Sequence, residues 1–265
     1  MTTVILTSFD YKMAMLLHFS VVTICFNACK VIDNTILSIL SQDYKNIEYI
    51  IIDGGSTDGT VDKIKQYRDK IAYWVSEPDS GIYDAMNKGI KVANGDFILF
   101  MNAGDCLCTS HVLKDVAKDI VHIGINNAIY YGDCIHKLKY KTHHATAYSI
   151  DFIKRSMPFS HQSTFVPLKL AKKMPFNTYY KLAGDYDFFL KQYLRGTKYI
   201  HIRKPISIIE LSEGATISNF KISQQEAYKI HLHYGFSRFR SYISYQECLF
   251  RFYISRIVKK ILGYN

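Results

Sequence analysis

The residues able to do chemistry gather where apolar runs end. Ile47 to Ile52 is a β-branched run that stops at Asp53-Gly54-Gly55-Ser56. A carboxylate directly after a buried strand, followed by two glycines, permits close backbone approach to a ligand. Asp53 can accept a hydrogen bond from a ring N–H such as a uracil imide, or it can simply start a turn. Phe97 to Met101 is a second run, and it ends in Asn102-Ala103-Gly104-Asp105. One carboxylate and one amide oxygen are hard ligands that suit Mg²⁺ or Mn²⁺ when phosphate and water supply the rest of the shell. Asn, Gly and Asp are also turn residues. Between these segments lies Ser80-Gly81-Ile82-Tyr83-Asp84-Ala85-Met86-Asn87. Asp84 and Asn87 are three apart and share a helical face, where they can address a ribose or a sugar hydroxyl, or meet solvent.

Such residues need a scaffold that brings strand ends to one edge, and the hydrophobic pattern provides it. Strands are predicted at 20–25, 47–52, 71–75 and 97–101, alternating with amphipathic helices over 30–41, 60–67 and 82–93. That alternation predicts an α/β fold with a parallel sheet covered on both faces. Right-handed crossovers then place every strand's carboxyl end on the same edge, where open α/β sheets bind ligands. Beyond residue 110 the pattern predicts a helix near 111–119, strands near 129–131 and 161–166, and a helix over 185–194. An extended segment over 198–211 is interrupted at Pro205, and a polar loop spans 212–218. From residue 219 the chain reads as helical, aromatic and basic.

With 265 residues, 48% hydrophobic and 21% charged, the chain has enough apolar material for a core, which excludes a disordered tail or fibrous repeat. No window approaches the 18 uncharged apolar residues of a spanning helix, and no secretory signal is evident. Residues 1–17 read as a leader or a lead-in to the first strand. Six cysteines lack C-x-x-C spacing, so reduced thiols in a cytoplasmic protein are expected. The net charge of +10 calls for an anionic partner: nucleic acid, a phosphorylated substrate or an acidic membrane face. The segment from Phe236 onward interleaves eight aromatics with six basic residues against Glu247. It suits a helix lying on an anionic bilayer, or one packed on the domain with a solvated basic face.

In order along the chain, Val22-Thr23-Ile24-Cys25-Phe26-Asn27, Ser38-Ile39-Leu40-Ser41-Gln42, Ile50-Ile51-Ile52-Asp53-Gly54-Gly55-Ser56-Thr57-Asp58-Gly59-Thr60 and Ser80 through Asp105 resemble the family 2 inverting glycosyltransferases. The segment Ser76-Glu77-Pro78-Asp79-Ser80-Gly81-Ile82-Tyr83-Asp84-Ala85-Met86-Asn87-Lys88-Gly89 is similar to the bacterial polysaccharide and O-antigen enzymes among them. The resemblance covers roughly residues 18–215. It implies a GT-A (Rossmann-like) fold: a mixed, mainly parallel sheet flanked by helices over 18–218, with a C-terminal helical appendage over 219–265.

The activity so implied is inverting transfer of a hexose from a nucleotide diphosphate sugar, a UDP-sugar by expectation, to a hydroxyl of a glycan or polyprenyl-diphosphate-linked acceptor. The resemblance assigns donor contacts to Thr23, Phe26, Asn27, Asp53, Gly55, Ser56, Asp84, Asn87, Asn102, Ala103 and Gly104, and Mn²⁺ or Mg²⁺ to Asp105. Asp185 in Gly184-Asp185-Tyr186-Asp187 matches the family's base, though aspartate is also a preferred helix cap. His161, Gln162 and Tyr83 are placed near the phosphates or acceptor, with a core histidine the alternative for His161.

Two departures stand out: the usual Asp-Asp-Gly-Ser is Asp53-Gly54-Gly55-Ser56, and the usual Asp-x-Asp is Asn102-Ala103-Gly104-Asp105. These leave open a catalytically inactive glycan- or nucleotide-binding relative. A nucleic-acid-binding protein is the other alternative, opposed by acids at the strand ends that would repel a phosphate backbone. A dehydrogenase or nucleotidyltransferase is disfavoured because Cys25 to Lys30 lacks G-x-G-x-x-G. The expected location is the cytoplasm, peripheral on the inner face of the membrane, with no nucleic acid partner.

Overall fold

The four apolar runs of the first half form β1 (Phe19–Cys25), β2 (Ile47–Asp53), β3 (Tyr73–Ser76) and β4 (Phe97–Asn102). They pair in parallel in the order β3-β2-β1-β4 in a computed structural model that describes residues 8–138, 141–211 and 219–261. All seven residues of β1 are buried, because helices cover both faces of the sheet. Successive side chains alternate between those faces. Phe19 and Val21 pack with Ile32, Ile36 and Ile39 of α2 (Ile32–Leu40). Val22 and Ile24 pack with Ala85, Met86 and Ile90 of α4 (Ile82–Val92). The helix α3 (Thr60–Gln66) links β2 to β3. Residues Ser8–Leu16 form α1, which packs against α5 (Val112–Ile123) and buries Ala14.

Register fixes what meets at the carboxyl edge. Cys25 pairs with Asp53, Asp53 with Ser76, and Ile24 with Asn102. Asp53 and Asn102 therefore flank the end of β1 from opposite sides.

The second half makes the sheet mixed. β8 (Thr164–Pro167) pairs antiparallel with β4 and with β6 (Ile129–Leu138). β6 runs parallel to β9 (Tyr199–Glu210), which pairs antiparallel with β5 (Cys106–Leu107). Expected as a short strand ending at Tyr131, β6 runs seven residues further and turns back as β7 (Lys141–Ala145). That hairpin is polar and exposed, so no apolar period marks it. The expected interruption at Pro205 is a register shift against Gly132 to Cys134, as befits a residue without an N–H. The segment predicted as strand from His161 begins with a 3₁₀ turn over His161–Ser163, and only Thr164 starts the strand.

Three helices complete the body: α6 (Leu168–Lys173), α7 (Gly184–Leu194) and α8 (Phe220–His233). A long helix, α9 (Arg238–Ile261), lies along α8. Phe252 stacks on Phe220 with centroids 4.1 Å apart, and Tyr228 meets Tyr242 and Tyr245. The polar loop expected over 212–218 lies outside the described residues.

Candidate active site

Asp53 ends β2 with no exposed surface. Its Oδ2 accepts from the backbone N–H of Gly55 (3.1 Å) and Ser56 (2.8 Å) and from the Ser76 hydroxyl (2.6 Å). Its Oδ1 accepts from the Ser56 hydroxyl (2.5 Å) and the Cys25 thiol (3.4 Å). Burial alone would raise its pKa, but the hydrogen bonds from Ser56 and Ser76 hold it below the ordinary carboxylate value. Asp53 thus organises the turn that follows it, in place of the free base-reading acceptor expected. Gly55 takes φ +84° in that turn, with Pro78 against the position a side chain would fill.

The neighbouring loop is stitched to this one. The Asn27 N–H donates to Ser56 Oγ at 2.7 Å, and Asn27 Oδ1 accepts from the Thr57 N–H at 3.0 Å. Among the described residues Asn27 is the non-glycine residue with positive φ, at 49°, a strained state that marks functional loops. Phe26 beside it is 63% exposed, an aromatic face open to a base. Asp79 packs over Gly54 and accepts from the Gly81 N–H. This third carboxylate at the edge, within Glu77-Pro78-Asp79, was not among the expected site residues, although its place after β3 was a usable signal.

Three expected donor contacts are engaged within the fold. Thr23 is fully buried in mid-strand, its hydroxyl 3.0 Å from Tyr49 Oη, because an odd register position on β1 points it into the core. Asn87 clamps the backbone of Phe176: Nδ2 donates to its carbonyl and Oδ1 accepts its N–H, both at 2.9 Å. Asp84 accepts the Ser80 N–H at 3.0 Å, ordering the start of α4. These two residues serve local structure, which a shared helical face alone could not reveal.

The turn after β4 is pinned by Thr35 of α2, whose hydroxyl accepts the Gly104 N–H and donates to the Asp105 carbonyl. Ala103 donates its N–H to the Ile24 carbonyl. The Asp105 side chain is buried; Oδ2 accepts from Gln162 Nε2 at 2.8 Å and Oδ1 from the Glu210 N–H at 3.0 Å. Burial pushes its pKa up, and these donors, with the nearby His161, offset that only in part. Among the described residues no group of three or more His, Cys, Asp or Glu could hold a metal unaided, and no Lys, Arg or His pairs with Asp105. A buried carboxylate with neutral partners fits one ligand of a cation completed by phosphate and water, and does not fit a protein-enclosed metal cage.

His161 bridges this turn to Asp185. Its Nδ1–H donates to Asp185 Oδ2 at 3.1 Å, while Nε2 lies 3.4 Å from Asn102 Oδ1. Asp185 Oδ1 accepts from the Tyr83 hydroxyl at 3.1 Å and the Tyr186 N–H at 2.8 Å. Burial would raise the Asp185 pKa; the His161, Tyr186 and Tyr83 donors outweigh it and hold the carboxylate low. One-fifth of the Asp185 side chain remains exposed, so it is less enclosed than Asp53 or Asp105. The Tyr83 hydroxyl stays protonated, its pKa pushed up by burial and by the Asp185 charge.

Gly184 makes this contact possible, since a Cβ there would sit 2.7 Å from the Tyr83 ring; the small residue makes room for Tyr83. Asp187 points the other way, buried, and accepts from the Tyr234 hydroxyl at 3.1 Å. Glu226 of α8 accepts the N–H groups of Lys181, Leu182 and Ala183 at 2.8 to 2.9 Å, fixing the approach to Asp185. No sequence pattern signals that contact, because 43 residues separate Glu226 from Ala183.

A parallel half with a polar loop cluster at its carboxyl edge, joined to a mixed half that brings the partly exposed Asp185 carboxylate beside it, is the architecture of a GT-A glycosyltransferase. The solved structures agree. S. aureus TarS 1–349 in complex with UDP-GlcNAc superposes with TM-score 0.65 at 20% identity, over 88% of this chain and 72% of that one. The mannosyltransferase PcManGT from Pyrobaculum calidifontis, in complex with GDP-Man and Mn²⁺, gives 0.64 at 15% identity, over 82% and 64%.

The glycosyl transferase family 2 pattern matches residues 20–189, and the chain belongs to that family. An uncharacterized glycosyltransferase of Mycobacterium tuberculosis is 31% identical over 186 residues, 65% of this chain and 67% of the relative. A PGL/p-HBAD biosynthesis glycosyltransferase of Mycobacterium bovis is 28% identical over 191 residues, 69% and 74% of the two.

Proposed function

We propose that the protein transfers a sugar from a nucleoside diphosphate donor to an acceptor hydroxyl by direct, inverting displacement, with Asp185 as the base. The single observation that carries this reading is the ionised, partly exposed Asp185 carboxylate, linked through His161 to the turn that would face the donor diphosphate. Asp185 takes the acceptor O–H proton as the acceptor oxygen bonds to the anomeric carbon. The bond from that carbon to the diphosphate oxygen breaks, and its electron pair leaves with the diphosphate. Attack from the face opposite the leaving group inverts the anomeric configuration. Tyr83 and His161 hold the carboxylate in place through the proton transfer.

On the donor side, Phe26 offers a stacking face for the base, and the 54–57 loop held by Asp53 and Asn27 lines the nucleotide. Asp79, over Gly54, supplies an acceptor to the base or ribose. Asp105 would be the protein's carboxylate ligand to Mg²⁺ or Mn²⁺, with Asn102 adjoining; when bound, the cation neutralises charge on the leaving diphosphate. A UDP-sugar donor is favoured by the likeness to TarS, and a glycan or lipid-linked acceptor by the likeness to the PGL/p-HBAD enzyme. No described helix is long and apolar enough to cross a membrane, and the basic aromatic α9 supports peripheral contact with an anionic bilayer from the cytoplasmic side.

The test is a panel of UDP-, GDP- and CDP-sugars with and without chelator, scoring released nucleotide and the product's anomer. Asp185→Asn keeps shape and loses basicity, so transfer falls about a hundredfold or more while UDP affinity holds. Unchanged turnover in that variant, or a product with retained configuration, removes the proposal. No turnover with any donor favours an inactive relative.

A further inference from the structure

Away from the sheet edge, Lys154 and Arg155, the end of α8 with the turn after it, and helix α9 surround a cavity of about 500 Å³. Three cations line it: Lys154, Arg155 and Arg240. Glu247 is the acid lining it, and its carboxylate stands 3.9 Å from Arg155 across an exposed surface, a separation that neutralises little in water. Lys154 reaches the ring of Tyr193 at 5.3 Å, and Arg240 makes no ion pair among the described residues.

Three hydroxyls complete the lining. Ser237 precedes α9, and Ser241 and Ser244 follow at one-turn intervals, so all three face the cavity. Its floor includes His231, buried against Tyr186. The Tyr186 hydroxyl donates to the Ile153 carbonyl at 2.7 Å, so His231 must donate its Nε2–H to the Tyr186 oxygen. Tyr186 directly follows Asp185, so the floor of the cavity is tied to the helix that carries the base.

The outer face of α9 tells what kind of molecule the cavity meets. Phe239, Tyr242, Ile243, Phe250, Tyr253 and Ile254 are all exposed, Phe239 at 74% and Phe250 at 67%. Their spacing puts them on one stripe of the helix. Ile243 belongs both to the stripe and to the cavity lining, so the apolar surface runs to the cavity's mouth. A recess with exposed cations at its rim, whose wall joins serine hydroxyls to Phe236 and Ile243, beside an apolar aromatic stripe, complements a phosphate-bearing head joined to hydrocarbon.

We infer that the cavity between Lys154, Arg155 and α9 is a binding site for the phosphate or diphosphate head of a lipid, with the hydrocarbon lying along the α9 stripe. Lys154, Arg155 and Arg240 pair with the phosphate oxygens, and the serine hydroxyls donate to them. This deepens the proposed membrane contact by assigning it a defined head-group pocket, and it is independent of the sugar-transfer chemistry.

The experiment reads binding without donor, so it fails or succeeds separately from the transfer reaction. Full-length protein is sedimented with phosphatidylcholine vesicles carrying either phosphatidylglycerol or farnesyl diphosphate at equal charge, and pyrophosphate binding is measured in parallel. Arg155→Gln with Arg240→Gln is expected to weaken vesicle binding about twenty-fivefold, about fivefold per cation, and to weaken pyrophosphate binding as well. Lys172→Gln with Lys173→Gln on α6 makes the same charge change elsewhere and should cost far less. Phe239→Ser with Phe250→Ser should weaken vesicle binding and spare pyrophosphate.

Preference for farnesyl diphosphate identifies a prenyl diphosphate as the source of the head, and equal binding identifies the bilayer's own phosphates; either sustains the site. The inference is overturned if the Arg155/Arg240 variant, folded by its unfolding temperature, binds both vesicles as the unaltered protein does. It is equally overturned if the Lys172/Lys173 variant loses as much.

Discussion

Asp53 and Asp185 are both held ionised by hydrogen bonds, and their surroundings give them different work. Five donors converge on Asp53, which has no exposed surface. Asp53→Ala leaves buried N–H and O–H groups without acceptors, at about 1–3 kcal/mol for each such group. Because most of these donors are part-buried and some regain water, the expected outcome is a loss of at least about 3 kcal/mol in denaturant unfolding, with UDP affinity falling alongside it. Lost UDP affinity at unchanged stability would restore Asp53 as a direct base contact.

Asp185 has three donors and a remaining open surface. Its folded pKa is lowered, so it is ionised at neutral pH. Its contribution to stability is present above the ordinary carboxylate value and is lost as pH falls through the lower folded value. The acid limb of kcat should therefore lie below the ordinary carboxylate range. Tyr83→Phe removes one donor from the charged form, so the limb moves to higher pH while UDP affinity stays constant. An acid limb in the same place in both proteins counts against the Tyr83 assignment.

Elements act here mainly by holding loops. Helix α8 supplies Glu226 to three consecutive N–H groups just before α7, and α7 starts with the Gly184 that Tyr83 overlies. Glu226→Ala should lower kcat at least severalfold through a displaced Asp185, with UDP affinity near normal because the loops proposed to hold the donor follow β1, β2, β3 and β4. Glu226→Gln retains one acceptor oxygen and should recover part of the loss. Equal loss of kcat and UDP affinity would mean general unfolding instead.

The helices and strands of the first half were legible because each buries an apolar stripe or run, as with Ile32, Ile36 and Ile39. The β6–β7 hairpin and the 161–163 turn were not, because neither carries a hydrophobic period. Glu226 was invisible because an exposed-looking glutamate in a helix has no pattern that names its distant partner.

At the scale of the molecule, the C-terminal region is two different things. α8 buries Ile230 and His231 against the body and, through His231 and Tyr186, braces the helix that carries Asp185. α9 packs on α8 and leaves an apolar stripe outside. Truncation after residue 236 should leave a folded domain that binds UDP, whereas truncation after 218 removes Glu226 and the partner of Tyr186 and should lower the unfolding temperature by several degrees, about 1–3 kcal/mol for each buried group left unpaired. Equal unfolding temperatures for the two truncations would show that α8 is dispensable.

By itself the sequence determined the alternation of buried strands and amphipathic helices, and hence which loops share the carboxyl edge, because those follow from local periodicity and chain handedness. It also determined the residue types at that edge, and through their order the family. The tertiary structure alone decided which polar groups are already satisfied. Thr23 meets Tyr49, Asn87 meets Phe176, and Asp53 meets its own loop, while Asp185 keeps an open face. Hydrogen-bond satisfaction depends on partners far apart in the chain, brought together by strand register and helix packing, and no local spacing encodes it.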